Sequence, residues 1–121
     1  MLLVDAANVI GSRPTGWWKD RPGAARAFVE RVRTAVTAGR LTGPVVVVLE
    51  GGARPGVDPG EADGVTVVHA SRSGDDELLE VISRADAPVT LVSADRALSE
   101  QAQALGAEVV RPGWLLERLD G

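Results

Sequence analysis

The chain has 121 residues, enough for one domain with its own hydrophobic core. It contains no cysteine, which excludes disulfide bonds, thiolate zinc sites and cysteine nucleophiles and agrees with a reducing, cytoplasmic setting. Asp5 interrupts the apolar start, and no apolar run approaches the roughly 20 residues of a membrane span. We therefore expect neither a signal peptide nor a membrane partner.

Charge is unevenly distributed along the chain, whose net charge is −4. Residues 11–40 carry seven basic side chains against two acidic ones, a local balance of +5 that leaves −9 for the rest. Such asymmetry suits a protein that holds a cation with one region and a polyanion with another. A solvated arginine-rich helix face would give the same pattern, so both interpretations stay open here.

The first half of the chain alternates apolar runs with turn-forming residues. Residues 2–5 predict a short strand, and residues 11–23, rich in Gly, Pro and Trp, predict a loop. Apolar residues at helical spacing predict a helix over 24–38, with Gly39 as its C-cap. The run of valines within 44–51 is typical of a strand buried on both faces.

The second half repeats this alternation of strands and helices. Residues 51–64 are rich in Gly, Pro and Asp and predict a loop, and 65–70 predict a strand. Apolar spacing predicts a helix over 73–87, which Pro88 ends. A strand at 89–93 then follows, before a further helix.

That further helix is predicted over 95–105, and a last strand at 107–110 precedes a closing helix from Pro112 through Leu119. Strands that alternate with helices imply parallel βαβ units. We therefore predict one α/β domain over residues 1–121, with a mainly parallel central sheet of about five strands. In such sheets, ligands bind beyond the carboxyl ends of the strands.

Acidic residues follow or approach the ends of several predicted strands. Asp5, Glu50 and Asp95 each follow an apolar run, and Asp75 and Asp76 open the helix after the strand at 65–70. Carboxylates crowded together repel one another unless a cation compensates, and Mg²⁺ and Mn²⁺ prefer oxygen ligands. We predict a divalent-metal site held by Asp5, Asp76 and Asp95, with Asp75 as the alternative to Asp76 and Glu50 as an outer ligand.

Each acid also has a structural explanation. Asp95 is placed to cap a helix, and carboxylates at Asp75 and Asp76 would favour a helix dipole. Ser73 with Asp76 matches a capping pattern. Asp5 is different, because it ends a buried strand and precedes no evident helix, so the coincidence of all the acids favours the metal site.

Polar residues beside these acids are candidates for binding phosphate. The amide of Asn8 could orient Asp5 or contact phosphate or water, although Asn is also common in turns. Ser93 and Arg96 flank Asp95 and could bind phosphate oxygens, or could simply be exposed at a helix start. The single histidine, His69, ends a strand and is interpreted as structural rather than catalytic.

Two adjacent tryptophans lie in the basic first third of the chain. Trp17, Trp18 and Lys19 are bounded by Arg13 and Arg21. Aromatic faces beside cations grip single-stranded nucleic acid without reading its sequence. We expect one tryptophan to contact RNA and the other to pack on the core or on a partner chain.

Three short motifs resemble those of a known family. The segment 5–8, D-A-A-N, resembles the D-x-x-N opening of NYN domains in the PIN-like nuclease superfamily. The segment 74–79 looks like their central acidic helix start, and 92–96 is similar to their late [T/S]-x-D element. The order and spacing match over essentially the whole chain, which is most similar to the YacP-like group of bacterial NYN proteins.

The resemblance implies a three-layer α/β/α fold and metal-dependent RNA cleavage in the cytoplasm. It puts Asp5, Asp76 and Asp95 in the metal-binding positions, with Mg²⁺ or Mn²⁺ as the cofactor. The doubled acid at Asp75 and Asp76 leaves open which of the two is the ligand.

The leading hypothesis is therefore a divalent-metal-dependent ribonuclease that hydrolyses RNA phosphodiester bonds. One alternative is a non-catalytic RNA-binding or scaffold module on the same fold, and a homodimer also remains open. Another phosphoryl-transfer enzyme ranks lower, because Ala7 stands where aspartate-nucleophile phosphatases carry a second Asp. No P-loop, dinucleotide-binding or serine-hydrolase motif is present in the sequence.

Overall fold

A single six-stranded sheet forms the centre of the computed structural model, which describes residues 1–120. Its strands are β1 (Leu2–Asp5), β2 (Val45–Leu49), β3 (Gly60–Ala62), β4 (Val65–His69), β5 (Thr90–Val92) and β6 (Glu108–Val110). Their order across the sheet is β3-β4-β2-β1-β5-β6, and only β3 runs antiparallel to its neighbour. The predicted α/β class with a mainly parallel sheet is confirmed.

Helices cover both faces of this sheet. They are α1 (Ala6–Gly11), α2 (Arg21–Thr37), α3 (Gly74–Arg84), α4 (Arg96–Ala104) and α5 (Pro112–Asp120), with 3-10 helices at Trp17–Lys19 and Gly51–Gly56. Buried side chains of α1, α2 and α5 share one core cluster, and those of α3 and α4 share the other. Within residues 1–120, no helix has both the length and the hydropathy that crossing a membrane requires.

The central strand β1 shows why apolar runs in this chain become parallel strands. Leu2 and Val4 belong to the core on the α2 face, and Leu3 belongs to the core on the α3 face. Alternate side chains of a strand point to opposite faces, so a strand covered on both sides is apolar at consecutive positions, as β1 is until Asp5 at its end. Each such leucine or valine contributes roughly 1.5–3 kcal/mol when fully buried.

Two elements differ from the sequence-based prediction. The sixth strand, β3, lies in the predicted loop 51–64, and its residues are exposed at the sheet edge, so no apolar pattern marks it. The prediction that Asp5 precedes no helix is wrong, because Asp5 is the N-cap of α1. That helix has only six residues and follows the strand without a turn, which hides it in the sequence.

Two helices have bounds that differ from the prediction: α3 ends at Arg84, three residues before the predicted 87, so Pro88 does not end it, and α2 begins earlier than predicted. This helix begins at Arg21, earlier than the predicted 24, because the side chain of Asp20 accepts a hydrogen bond from the Gly23 N–H. Gly39 and Gly106 follow α2 and α4 with φ angles of +79° and +92°, conformations that favour glycine.

The carboxyl ends of all five parallel strands lie at one edge of the sheet. After β1, the chain builds β2 and β4 on one side, and it then crosses to the other side to add β5 and β6. The strand order therefore reverses around β1, next to β5, and ligands of open α/β sheets bind in the crevice at such a point.

Candidate active site

Asp5 lies at the carboxyl end of β1, at the point where the strand order reverses. Its side chain is 7% exposed, and both carboxylate oxygens accept hydrogen bonds. Oδ2 accepts the hydroxyl of Ser93 at 2.9 Å, and Oδ1 accepts the backbone N–H of Asn8 at 3.4 Å. The carboxylate is thereby held in one orientation between β1, α1 and β5.

Burial raises the pKa of Asp5 to about 6, because the charged form loses its hydration. The hydrogen bonds from Ser93 and from the Asn8 backbone oppose this rise, and the nearby charges of Asp75 and Glu50 add to it. A carboxylate whose pKa is displaced upward in a cleft marks a candidate functional position. Ionisation of Asp5 therefore lowers the stability of the folded protein.

Ser93 connects Asp5 to Asp95. The Ser93 side chain is buried; its hydroxyl donates to Asp5 and accepts the N–H of Asp95 at 3.1 Å. The hydroxyl proton is thus used inside the protein, which gives Ser93 a positioning role, while its phosphate contact stays a prediction.

Asn8 fastens α1 to the segment after β5. Its side-chain oxygen accepts the N–H of Ala94 at 2.8 Å, across 86 residues of sequence. This contact fixes the distance between the Asp5 and Asp95 segments. The Asn8 side chain therefore orients the segment before Asp95, whereas Asp5 is contacted by the Asn8 backbone N–H instead of by the amide as predicted.

Asp95 caps helix α4, as its structural interpretation predicts. Its Oδ1 accepts the N–H of Leu98 at 3.0 Å, and its Oδ2 accepts no hydrogen bond from residues 1–120. The capping bond orients the carboxylate, and the second oxygen remains available for a ligand. Its charge also acts on Asp75, the next acid of the cluster.

Glu50 follows β2 and reaches the N-terminus of α3. Its Oε2 accepts a short hydrogen bond from the N–H of Gly74. A Cβ at position 74 would lie 2.7 Å from that oxygen, so any larger residue there would displace the end of the Glu50 side chain. Sequence reasoning did not single out Gly74 for this role, because nothing local to it indicates that Glu50, 24 residues earlier, packs there.

Asp75 and Asp76 are neighbours in sequence but face different surroundings. Partial burial raises the pKa of Asp75, and the charges of Asp95, Glu50 and Asp76 raise it further. Asp75 also acts on Asp5, whereas Asp76 is absent from the charges that shift Asp5. Asp76 instead lines a separate cleft at the start of α3, where its N–H donates to Ser73 at 3.3 Å. The structure therefore groups Asp75, rather than Asp76, with the other acids.

These placements test how well the residues fit a divalent cation. Within residues 1–120, no three acidic or histidine side chains form a group tight enough to hold an ion unaided. The shared metal site of Asp5, Asp76 and Asp95 stays a prediction; in this structure Asp5 and Asp95 also cap helices, and Asp76 lines another cleft.

The chemistry of the donors nevertheless fits a magnesium-like ion. Every candidate ligand is a carboxylate, and Mg²⁺ commonly takes one or two carboxylates, with water and substrate phosphates completing its octahedron. Asp5, Asp75, Asp95 and Glu50 come from four elements, and the charges of the others raise the pKa of Asp75 or of Asp5, so a cation would relieve repulsion that the bare protein bears.

The predicted substrate-binding cations divide into engaged and exposed ones. Arg13 forms an ion pair with Asp120 at 3.4 Å, which ties it to α5. Arg96 is 94% exposed and lies 3.6 Å from Glu100 on its own helix. Lys19 is exposed in the 3-10 helix Trp17–Lys19. Only Arg21, at the start of α2, lines a cavity beside the acids.

The two adjacent tryptophans occupy different environments. Trp17 is half-buried and lines the same cavity as Arg21, whereas Trp18 is 52% exposed. Their rings meet edge to face, with centroids 5.8 Å apart. His69 has the predicted structural role, with Nε2 2.7 Å from the carbonyl oxygen of Val57.

Comparison with known proteins finds a similar fold but no matching sequence family. No protein-family model and no curated protein matches the chain. Among solved structures, the fold is similar to that of Rae1 (YacP) from Bacillus subtilis, with a TM-score of 0.70 and 18% sequence identity. The similarity covers 98% of this chain and 73% of that one. The chain thus shares the fold of a YacP protein, the group that its motifs resemble.

Proposed function

We propose that this protein is a divalent-metal-dependent ribonuclease. The observation that carries the proposal is the convergence of Asp5, Glu50, Asp75 and Asp95, from four elements, at the reversal point of the sheet. The shared fold with a YacP protein and the motif resemblance to NYN nucleases support RNA as the substrate. Phosphodiester hydrolysis fits the site, since carboxylates cannot approach a phosphate without a cation between them.

The four carboxylates would have distinct roles. Asp5, Asp75 and Asp95 would hold Mg²⁺ or Mn²⁺, directly or through water, with Glu50 as the outer ligand. When bound, the ion would lower the pKa of an attacking water and stabilise negative charge on the phosphate.

The remaining site residues position the ligands rather than react. Ser93 orients Asp5 through its hydroxyl, and Asn8 holds the Asp5 and Asp95 segments together. Gly74 admits Glu50 to the start of α3, where the helix dipole stabilises the Glu50 charge. These contacts fix the spacing of the acids before substrate arrives, which reduces the cost of ordering them.

Cleavage of labelled RNA in the presence of Mn²⁺ tests the proposal. The Asp5→Asn and Asp95→Asn variants should lose about 100-fold or more of the activity, because the loss of one metal ligand removes several kcal/mol of transition-state stabilisation. Asp86→Asn is the matched control, since Asp86 is an exposed acid before β5, at the opposite edge of the sheet. Equal cleavage by all four proteins would exclude a carboxylate-dependent reaction.

A non-catalytic RNA-binding module is the second candidate. It is favoured by the lack, within residues 1–120, of a preformed group of three metal ligands. In that case the protein would bind RNA equally well with Mn²⁺ or EDTA, and neither the wild type nor any variant would cleave it. Metal-dependent turnover by the wild type would exclude this candidate.

A further inference from the structure

A cavity of about 330 Å³ adjoins the acidic cluster. The buried residues Ala6 and Leu49 contribute to its apolar lining. Trp17, Arg21 and Arg72 also line it, and Arg72 is a loop residue that the sequence analysis did not single out. The volume lies at the lower end of the range for small-molecule sites, and an apolar lining with a few charged groups is typical of them.

The fold fixes the walls of this cavity. The 3-10 helix Gly51–Gly56 packs on the start of α2, where a Cβ at Gly56 would lie 2.1 Å from the Pro22 carbonyl oxygen. A Cβ at Gly52 would approach the Arg21 side chain to 3.1 Å, so the stem of Arg21 lies directly on this segment. Close contacts at Gly52 and Gly56 therefore hold this segment against the start of α2.

Trp17 and Arg21 form one side of the cavity. The Arg21 guanidinium lies 5.5 Å from the centroid of the Trp17 ring, within the range of a cation–π contact. The Trp17 ring itself packs 3.8 Å from the Cβ position of Gly11 at the end of α1. An indole held beside a guanidinium offers a planar apolar ligand a stacking partner and offers its anionic attachment a counter-charge.

The position of the cavity connects it to the acids. Ala6 follows Asp5 directly, and Glu50 both lines the cavity and raises the pKa of Asp5 and Asp75. Arg72 lines the cavity and also lies two residues before Gly74, where α3 begins. A ligand in the cavity would therefore extend toward the carboxylates past two arginines, an arrangement suited to a planar group on an anionic backbone.

We propose that the cavity binds one unpaired nucleobase of an RNA strand, with the flanking phosphates on Arg21 and Arg72. The base enters the apolar space beside Trp17, and its strand continues past Glu50 to the acidic cluster. This inference rests on the proposed function and narrows its substrate to RNA with an unpaired nucleotide next to the scissile bond. A base in a duplex is stacked and paired, so it cannot enter the cavity.

Binding without cleavage tests this subsite apart from the reaction. The probe is a fluorescein-labelled octamer of riboadenosine, compared with an octamer of the same charge whose nucleotides are abasic, both in EDTA at low salt. Stacking of one base on an aromatic side chain is worth roughly 5- to 100-fold in affinity, so the wild type should bind the riboadenosine strand at least about fivefold more tightly.

Cavity variants connect that preference to this location. Ala7 is an exposed residue of α1 on the rim, so Ala7→Leu should fill the space without disturbing the core and should remove most of the preference for bases. Ala104→Leu, at an exposed position of α4 outside the cavity, is the matched control and should preserve the preference.

Removing the charge of each arginine tests whether it contacts the phosphates. Arg21→Gln and Arg72→Gln should each weaken binding of both strands and lower the slope of log affinity against log salt by about 0.7. Arg84→Gln, at the far end of α3, should leave the slope unchanged. These effects differ from those of Ala7→Leu, which should act on the base preference alone.

The outcomes separate the subsite from the proposed function. Equal affinity for the two strands, no binding to either, or a base preference that survives in Ala7→Leu would overturn the subsite. None of these results depends on metal or turnover, so RNA cleavage that requires Asp5 and Asp95 would still stand. Conversely, a cavity-dependent base preference without cleavage would retain the subsite and reject the nuclease.

Discussion

Charged side chains have different surroundings at the two ends of the central sheet. At the amino ends of the strands, the Nε of Arg40 donates to the Arg118 carbonyl oxygen at 2.9 Å, and the Arg118 guanidinium lies 3.8 Å from the Trp114 ring centroid. At the carboxyl ends, carboxylates from four elements act on one another, and Asp5 has a pKa raised to about 6. At the amino ends, the Arg40 and Arg118 side chains each have a partner, whereas at the carboxyl ends carboxylates of like charge lie together.

This difference indicates what each end is for. Sequences generally agree with their folds at every level, and local violations concentrate at functional sites. The amino-end contacts are of the kind that stabilises a domain. The carboxyl-end acids are oriented by hydrogen bonds from Ser93, Asn8 and Gly74, yet their mutual repulsion is unrelieved. A bound cation would relieve this repulsion, so the acids would bind a cation favourably.

The largest expected effect separates the two neighbouring acids of α3. Asp75→Asn should lower RNA cleavage by about 100- to 1000-fold, the loss expected when a metal ligand is removed. Asp76→Asn should stay within about tenfold of the wild type, because Asp76 lines a different cleft and acts on the cluster only through Asp75. Single-turnover cleavage rates in Mn²⁺ measure both; the reverse order would assign the site to Asp76.

The second prediction concerns how stability varies with pH in the absence of metal. The pKa of Asp5 is raised from 3.8 to about 6 on folding, so the folded state favours the protonated form. Its stability contribution is therefore fully present below about pH 4 and is lost as the pH rises through about 6. The shift corresponds to at most about 3 kcal/mol in the free energy of unfolding.

Urea denaturation of the wild type and Asp5→Asn in EDTA, from pH 4 to pH 8, isolates this contribution. The wild type should lose stability relative to Asp5→Asn as the pH rises, and Mg²⁺ or Mn²⁺ should restore part of it at pH 8, since a ligand of the folded state stabilises it. A difference that stays constant with pH would show that Asp5 titrates alike in both states.

The third prediction addresses the amino end. Trp114→Ala should lower the free energy of unfolding by about 2 kcal/mol, because it removes a half-buried ring and its cation–π contact with Arg118. Cleavage per folded molecule should remain within about twofold of the wild type. A loss of activity as large as that of Asp75→Asn would mean that the two ends are not separate in function.

The elements that differ from the prediction are those without an apolar pattern. The buried strands and the longer helices are visible in the sequence, because strands covered on both faces must be apolar and helices need an apolar stripe. The edge strand β3 has no buried residue, and α1 spans only six residues after Asp5, so neither leaves such a pattern.

The site was predictable only in part, for a similar reason. The strand ends identified Asp5, Glu50 and Asp95, since parallel strands bring their carboxyl ends to one edge. Which of Asp75 and Asp76 lies nearer the other acids depends on the phase of α3 relative to the sheet, which tertiary packing sets. The contact of Asn8 with the Ala94 N–H spans 86 residues and has no local pattern.

The smallest expected effect compares two aspartates that cap helices in the same way. Asp20 caps α2 through the Gly23 N–H, and Asp95 caps α4 through the Leu98 N–H, both at 3.0 Å. Asparagine caps about as well as aspartate, so Asp→Asn at either position removes mainly the favourable interaction of the charge with the helix dipole. At Asp95 alone, it also removes repulsion with Asp75.

In EDTA at pH 7 and low salt, Asp95→Asn should therefore be less destabilising than Asp20→Asn, by about 0.5 kcal/mol after allowance for solvent screening of Asp75. High salt should erase the difference, since it screens exposed charges. Saturating Mn²⁺ should reverse its sign, because the ion would stabilise the wild type through Asp95 but would be indifferent to Asp20. The charge of Asp95 would then lower stability without the ion and raise it with the ion. A metal ligand behaves in this way, whereas a residue that only caps a helix does not.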